Sequence, residues 1–101
     1  ILGAAANRCL TIIDGFNSTA SAFVAKKISN VSIQYLMASH LSMEQAHRRS
    51  LEKLGLSEYI DLDIRLGEAV GASIQKKILD MALTVYRESM TKEQVQADGS
   101  N

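Results

Sequence analysis

Apolar and polar positions alternate between two periods along this chain. Cys9-Leu-Thr-Ile-Ile13 is a short β-branched apolar run closed by Asp14-Gly15, the pattern of a strand buried on both faces. Next, Ala20, Phe23, Val24 and Ile28 recur at helical spacing with Lys26 and Lys27 facing away, and Asn17 or Ser18 can cap such a helix. A second run, Ile33-Gln-Tyr-Leu-Met-Ala38, ends in Ser39-His40 and predicts a second strand. Ser42-Met-Glu-Gln45 has capping-box spacing and opens a helix on which Met43, Leu51 and Leu54 share a face, with Gly55 as its stop. Ile60, Leu62, Ile64 and Leu66 then alternate with Asp61, Asp63 and Arg65, which predicts an edge strand or an extended segment lining a cleft. From Val70 to Met90 the period is helical again, with Val70, Ile74, Ile78, Met81, Ala82 and Val85 on one side.

Strand, helix, strand, helix, extended segment, helix is the alternation of an α/β fold with a parallel sheet. Residues 1–90 read as part of one domain, and the polar 91–101 stretch, TKEQVQADGSN, as a frayed tail. The opening ILGAAA resembles the end of a helix without a capping residue, which predicts a fragment of a larger domain.

Composition narrows the function. Eleven basic and eleven acidic residues, with no basic cluster longer than a pair, give no electrostatic footprint for nucleic acid or an anionic membrane. No apolar run approaches the roughly 20 residues of a membrane span. Cys9 is the single cysteine and reads as a small buried hydrophobe in a reducing compartment, so a cytoplasmic location is expected.

Ligands of parallel sheets sit beyond the carboxyl ends of the strands, here Asp14-Gly15-Phe16, Ser39-His40-Leu41-Ser42 and Gly67-Glu68. Glu68 lies between Gly67 and Gly71, where extended pattern gives way to helix. It is either a first-turn acid stabilised by the helix dipole or a catalytic carboxylate, and the two glycines let the backbone turn and another group approach closely. A helix N-terminus and nearby Arg65 both lower a carboxylate pKa, so Glu68 could act as a base only on a desolvating apolar substrate or on a proton made acidic by the reaction. Ser39 and His40 are sequence neighbours whose side chains should leave a strand on opposite faces, a poor nucleophile–base pair. His40 and His47 have no third ligand nearby in sequence, so no metal site is expected. Neither standard glycine-rich phosphate cradle is present.

Taken in order, Gly3-Ala-Ala-Ala6, Ile12-Ile-Asp-Gly-Phe16, Ala38-Ser-His-Leu-Ser-Met-Glu44 with His47, and Asp61-Leu-Asp-Ile-Arg-Leu-Gly-Glu68 with Gly71-Ala72 resemble the C-terminal part of nicotinate-nucleotide:dimethylbenzimidazole phosphoribosyltransferases. The resemblance implies a three-layer, mostly parallel Rossmann-like sheet flanked by helices, a homodimer, and no cofactor or metal. It also implies transfer of phosphoribose from nicotinate mononucleotide to dimethylbenzimidazole, giving α-ribazole phosphate for the lower ligand of cobalamin. By the same resemblance Glu68 takes the position of the general base, Arg65, Leu66 and Gly67 lie beside substrate, and Ser42 lies near the bound base. Two departures stand out: the family's Gly-Glu-Gly-[Ser/Thr]-Gly is Gly67-Glu68-Ala69-Val70-Gly71 here, and its Glu-Pro-Gly-His is Glu44-Gln45-Ala46-His47. The first loses a glycine and a hydroxyl, which leaves a non-catalytic binding or assembly module as the alternative reading.

Overall fold

A computed structural model describes residues 1–42, 45–61, 69–89 and 91–99. Helix α1 (Leu2–Ala6) turns into strand β1 (Thr11–Ile13), helix α2 (Phe16–Ile28) and a 3-10 turn at Asn30–Tyr35. Strand β2 (Leu36–Ala38), α3 (Gln45–Leu54), α4 (Val70–Glu88) and α5 (Lys92–Gly99) follow. The two strands pair in parallel with Thr11 opposite Leu36, Ile12 opposite Met37 and Ile13 opposite Ala38. A lone parallel bridge from His40 to Ile60 continues the order. Among the described residues the chain is thus an α/β unit, mostly helical, around a two-stranded parallel sheet; the alternating segment beyond Asp61 lies outside the described residues up to Ala69.

Both strands are shorter than their apolar runs. Cys9 and Leu10 precede β1, and Cys9 is exposed rather than buried because it still belongs to the turn after α1, where Arg8 takes φ 56°. The first half of the Ile33–Ala38 run is part of the 3-10 turn, and of β1 only Ile13 is fully buried. The core is Ile13, Ala22, Leu36, Ala38, Leu51 and Leu54, with Ile1, Phe23, Ile33 and Leu56 packed around it.

Helix α2 presents a different face from the one its larger apolar residues predict. Thr19, Ala22 and Ala25 are buried, whereas Ala20, Val24 and Ile28 face solvent. Small residues on that face let the helix pack against α3 and the 3-10 turn, with Ala22 joining the core, and Gly15 rather than Asn17 or Ser18 is its N-cap. Ser18 turns back instead: its Oγ accepts the Asp14 N–H at 2.9 Å and donates to the Gly15 carbonyl at 3.0 Å.

The stop at Gly55 is formed as expected. Its φ of +75° places it in the left-handed region, Leu56 N–H reaches back to Leu51 O at 2.9 Å and Gly55 N–H to Glu52 O at 3.0 Å, the two bonds of a Schellman motif. Within the polar tail, Lys92–Gly99 form helix α5. Thr91 and Gln94 cap α5 reciprocally, with Thr91 N–H on Gln94 Oε1 at 2.7 Å and Gln94 N–H on Thr91 Oγ1 at 3.2 Å. In α4 only Gly71 and Gln75 are buried; Met81, Val85 and Tyr86 are exposed on its distal half. Consistent with that projection, the radius of gyration is 17.0 Å, against about 13 Å for a round domain of this length.

Candidate functional site

The carboxyl end of β1 and the residues just beyond β2 meet the first turn of α4. Asp14, the residue after β1, accepts the Ala72 N–H on Oδ1 at 3.0 Å. The N-cap of α4, Ala69, makes no side-chain cap bond and sits at φ 62°, so a carboxylate 58 residues earlier does the capping. It satisfies an otherwise orphan donor and places negative charge at the positive end of a helix. His40, 2% exposed, closes the other side: its Nδ1 lies 3.7 Å from Asp14 Oδ1 and 3.1 Å from Ser39 Oγ.

Gly71 is the point of closest approach between α4 and this cluster. A Cβ there would overlap His40 Nδ1 and stand 2.5 Å from its Cγ and 2.6 Å from its Cε1. The close approach expected of this glycine is therefore real, and the approaching group is an imidazole.

Ser39 and His40 do meet, contrary to the expectation from strand geometry, because the backbone has left the regular pleat of β2 by this point. Proton direction nevertheless excludes a nucleophile–base pair. The Ser39 hydroxyl donates to Ile13 O at 2.8 Å, so its oxygen can only accept from His40 Nδ1–H, the reverse of what an activated serine needs.

A second polar chain runs beside the first. The Ser42 N–H donates to His47 Nδ1 at 3.0 Å; His47 Nε2 faces Thr19 Oγ1 at 3.0 Å, and Thr19 Oγ1 donates to Gly15 O at 2.8 Å. Since Nδ1 accepts, the Nε2 nitrogen is the protonated one and donates to Thr19. His47 and Thr19 are both fully buried, and the His47 ring lies edge-on to His40 with centroids 6.0 Å apart. Ser42 Oγ is buried and has no hydrogen-bond partner among the described residues. Among the described residues it makes no cap bond of the kind the Ser42–Gln45 spacing suggested, and α3 is described from Gln45. No group of three or more metal-ligating side chains occurs among the described residues, and no described helix is long and apolar enough to cross a membrane.

A family model described as phosphoribosyltransferase matches residues 1–96. The chain belongs to that phosphoribosyltransferase family. Among its relatives, the nicotinate-nucleotide–dimethylbenzimidazole phosphoribosyltransferase of Pelodictyon phaeoclathratiforme is 48% identical over 91 residues, covering 90% of this chain and 26% of that protein. The enzyme of the same name from Chlorobium chlorochromatii is 45% identical over the same lengths. The crystal structure of a nicotinate-nucleotide–dimethylbenzimidazole phosphoribosyltransferase from Thermus thermophilus superposes with a TM-score of 0.87 at 35% identity, covering 94% of this chain and 28% of that one. The chain thus spans about a quarter of the length of the relatives it matches.

Of the residues singled out from sequence, the phosphoribosyltransferase fold brings Asp14, His40 and Gly71 together and sets Ser42 beside His47. Arg65, Leu66, Gly67 and Glu68 lie outside the described residues. Thr19 escaped the sequence reading, although its signal was present: it falls three residues before Ala22 and six before Ala25, on the small-residue face of α2. His47 likewise shares the stripe of Leu51 and Leu54 at spacings of four and seven, which marks it as an inward-facing residue.

Proposed function

We propose that this chain is the C-terminal part of a phosphoribosyltransferase that moves the phosphoribosyl group of nicotinate mononucleotide onto dimethylbenzimidazole. The observation that carries this reading is the close identity, over nine-tenths of the chain, to relatives bearing that name. The meeting of Asp14, His40 and α4 at the strand ends supports it, because that is where ligands of parallel sheets bind.

In the proposed reaction a benzimidazole nitrogen attacks the anomeric carbon of the ribose as the bond from that carbon to the nicotinate nitrogen breaks. The leaving nicotinate takes the bonding pair, and the proton on the other benzimidazole nitrogen passes to the Glu68 carboxylate. An aromatic ring over that carboxylate would desolvate it, and its nitrogen becomes acidic as the new bond forms, so the low intrinsic basicity of an acid near a helix start is no obstacle. Leu66 packs a ring face, Arg65 and Gly67 lie beside substrate, and Ser42 offers its hydroxyl to the aromatic base. The remaining three-quarters of the polypeptide completes a three-layer Rossmann-like sheet and supplies the phosphate grip missing from this sequence. The assembled enzyme is a cytoplasmic homodimer without nucleic-acid or membrane partners.

The test is nicotinate release from nicotinate mononucleotide plus dimethylbenzimidazole by the longest native polypeptide, its Glu68→Gln variant and the 101-residue chain. Loss of general-base catalysis should lower kcat about 10²–10⁴-fold in the variant, and the short chain should release nothing. If the long form is inactive as well, the transferase reading fails and a non-catalytic module takes its place.

A further inference from the structure

Two observations around Ser42 need a common explanation. Its Oγ is buried without a partner among the described residues, an arrangement that is costly unless something else fills it. Its N–H, by contrast, is tied to a fully buried imidazole, itself braced through Thr19 to the N-cap of α2. A serine in this position would ordinarily turn its hydroxyl onto the backbone N–H groups of the following helix. Here the histidine, on α3, already holds the Ser42 main chain.

We infer that His47 is a positioning residue for the aromatic substrate: its Nδ1 lone pair pins the Ser42 backbone so that the Ser42 hydroxyl remains unpaired and directed to the bound base. The inference rests on the transferase reading for the identity of that base. The relay runs from Ser42 N–H to Nδ1, from Nε2–H to Thr19 Oγ1, and from Thr19 O–H to Gly15 O. Gly15 follows the end of β1 and Ser42 follows the end of β2, so the imidazole spaces the two ligand-facing strand ends. The relay reaches the site through the Ser42 main chain and gives its side chains no part in bond making or breaking. The effect of His47 therefore belongs in the affinity for the aromatic base and not in the chemical step.

The two ring nitrogens can be tested separately. An asparagine side chain at this position would retain an acceptor near the site of Nδ1, and a glutamine side chain a donor near the site of Nε2. Accordingly, His47→Asn and His47→Gln are compared in the longest native polypeptide with Ser42→Ala. His47→Gln and Ser42→Ala should each raise the KM for dimethylbenzimidazole about five- to tenfold, the worth of one hydrogen bond. KM for nicotinate mononucleotide and kcat should hold in both. His47→Asn should restore KM to within about twofold of wild type, and the double variant His47→Gln/Ser42→Ala should be no worse than either single change. Equal KM effects of the two His47 substitutions, or additive effects in the double variant, would overturn the inference and leave His47 as core packing. Hydrogen exchange at the Ser42 amide provides an activity-independent arm, with faster exchange expected in His47→Gln and not in His47→Asn. A wild type that releases no nicotinate refutes the transferase reading and the substrate named here, while equal amide exchange in the two variants refutes the pinning itself.

Discussion

Replacing Gly71 by alanine adds one methyl group at the most crowded point between α4 and the strand ends. The new Cβ would stand 2.5 Å from His40 Cγ and 2.6 Å from Cε1, where ordinary contact begins at 3.4 Å, so almost an ångström of overlap at the carbons and a larger one at Nδ1 must be relieved. His40 cannot swing away freely: it is 2% exposed, its Nδ1 is bonded to Ser39 Oγ, and its backbone bridges Ile60. The alternative is withdrawal of the first turn of α4, which would break the Ala72 N–H bond to Asp14. Overpacking costs about 1–3 kcal/mol and a stranded donor about as much again, so a loss of roughly 2–6 kcal/mol is expected. Thermal or urea unfolding of the longest native polypeptide measures it, and His40→Ala in the same background should recover at least about 1 kcal/mol, because it removes the ring that clashes. A Gly71→Ala protein within about 0.5 kcal/mol of wild type, or a double variant as unstable as the sum of its parts, would refute the close packing.

Three further outcomes follow from local geometry. Ala69 holds φ 62° where the family pattern has glycine; Ala69→Gly should raise unfolding stability by about 0.5–1 kcal/mol, the left-handed penalty less the extra freedom of glycine in the unfolded chain, and a fall in Tm would contradict it. Thr91→Ala removes half of the reciprocal cap on α5 and should weaken that helix by about 1 kcal/mol, read as faster amide exchange over residues 92–99 with no change elsewhere. The hydrogen bond from Lys76 Nζ at 2.8 Å holds the exposed Asp80 carboxyl below the usual carboxylate range. Its small contribution is present above the ordinary Asp pKa and lost as pH falls through the lowered one; Asp80→Asn should therefore shift Tm slightly at neutral pH and low salt, and not at about 1 M salt.

The succession of elements was legible in the local pattern of residues. Periodicity located α2, α3 and α4, glycine marked the end of α3, and the ordered motifs indicated the phosphoribosyltransferase family. These features are local: helical spacing, left-handed glycine and short polar turns are written within a few residues. TKEQ at residues 91–94 carried a capping box as legible as SMEQ at 42–45, yet only the former is seen to form. The difference lies in surroundings, since Ser42 is held by a buried histidine and Thr91 is free to fold onto its own helix.

Which faces were buried and which polar residues met depended on the assembled fold. Helix α2 turned its small residues inward, against α3 and the 3-10 turn, where Thr19 bonds His47, and left Val24 and Ile28 facing solvent. Ser39 and His40 came into contact because the chain leaves its pleat after β2, and Asp14 became the cap of a helix 58 residues away. Such partnerships join residues far apart in the chain through contacts a few ångströms wide. Local periodicity cannot specify them, because they arise only when β1, β2 and α4 are brought to one end of the sheet.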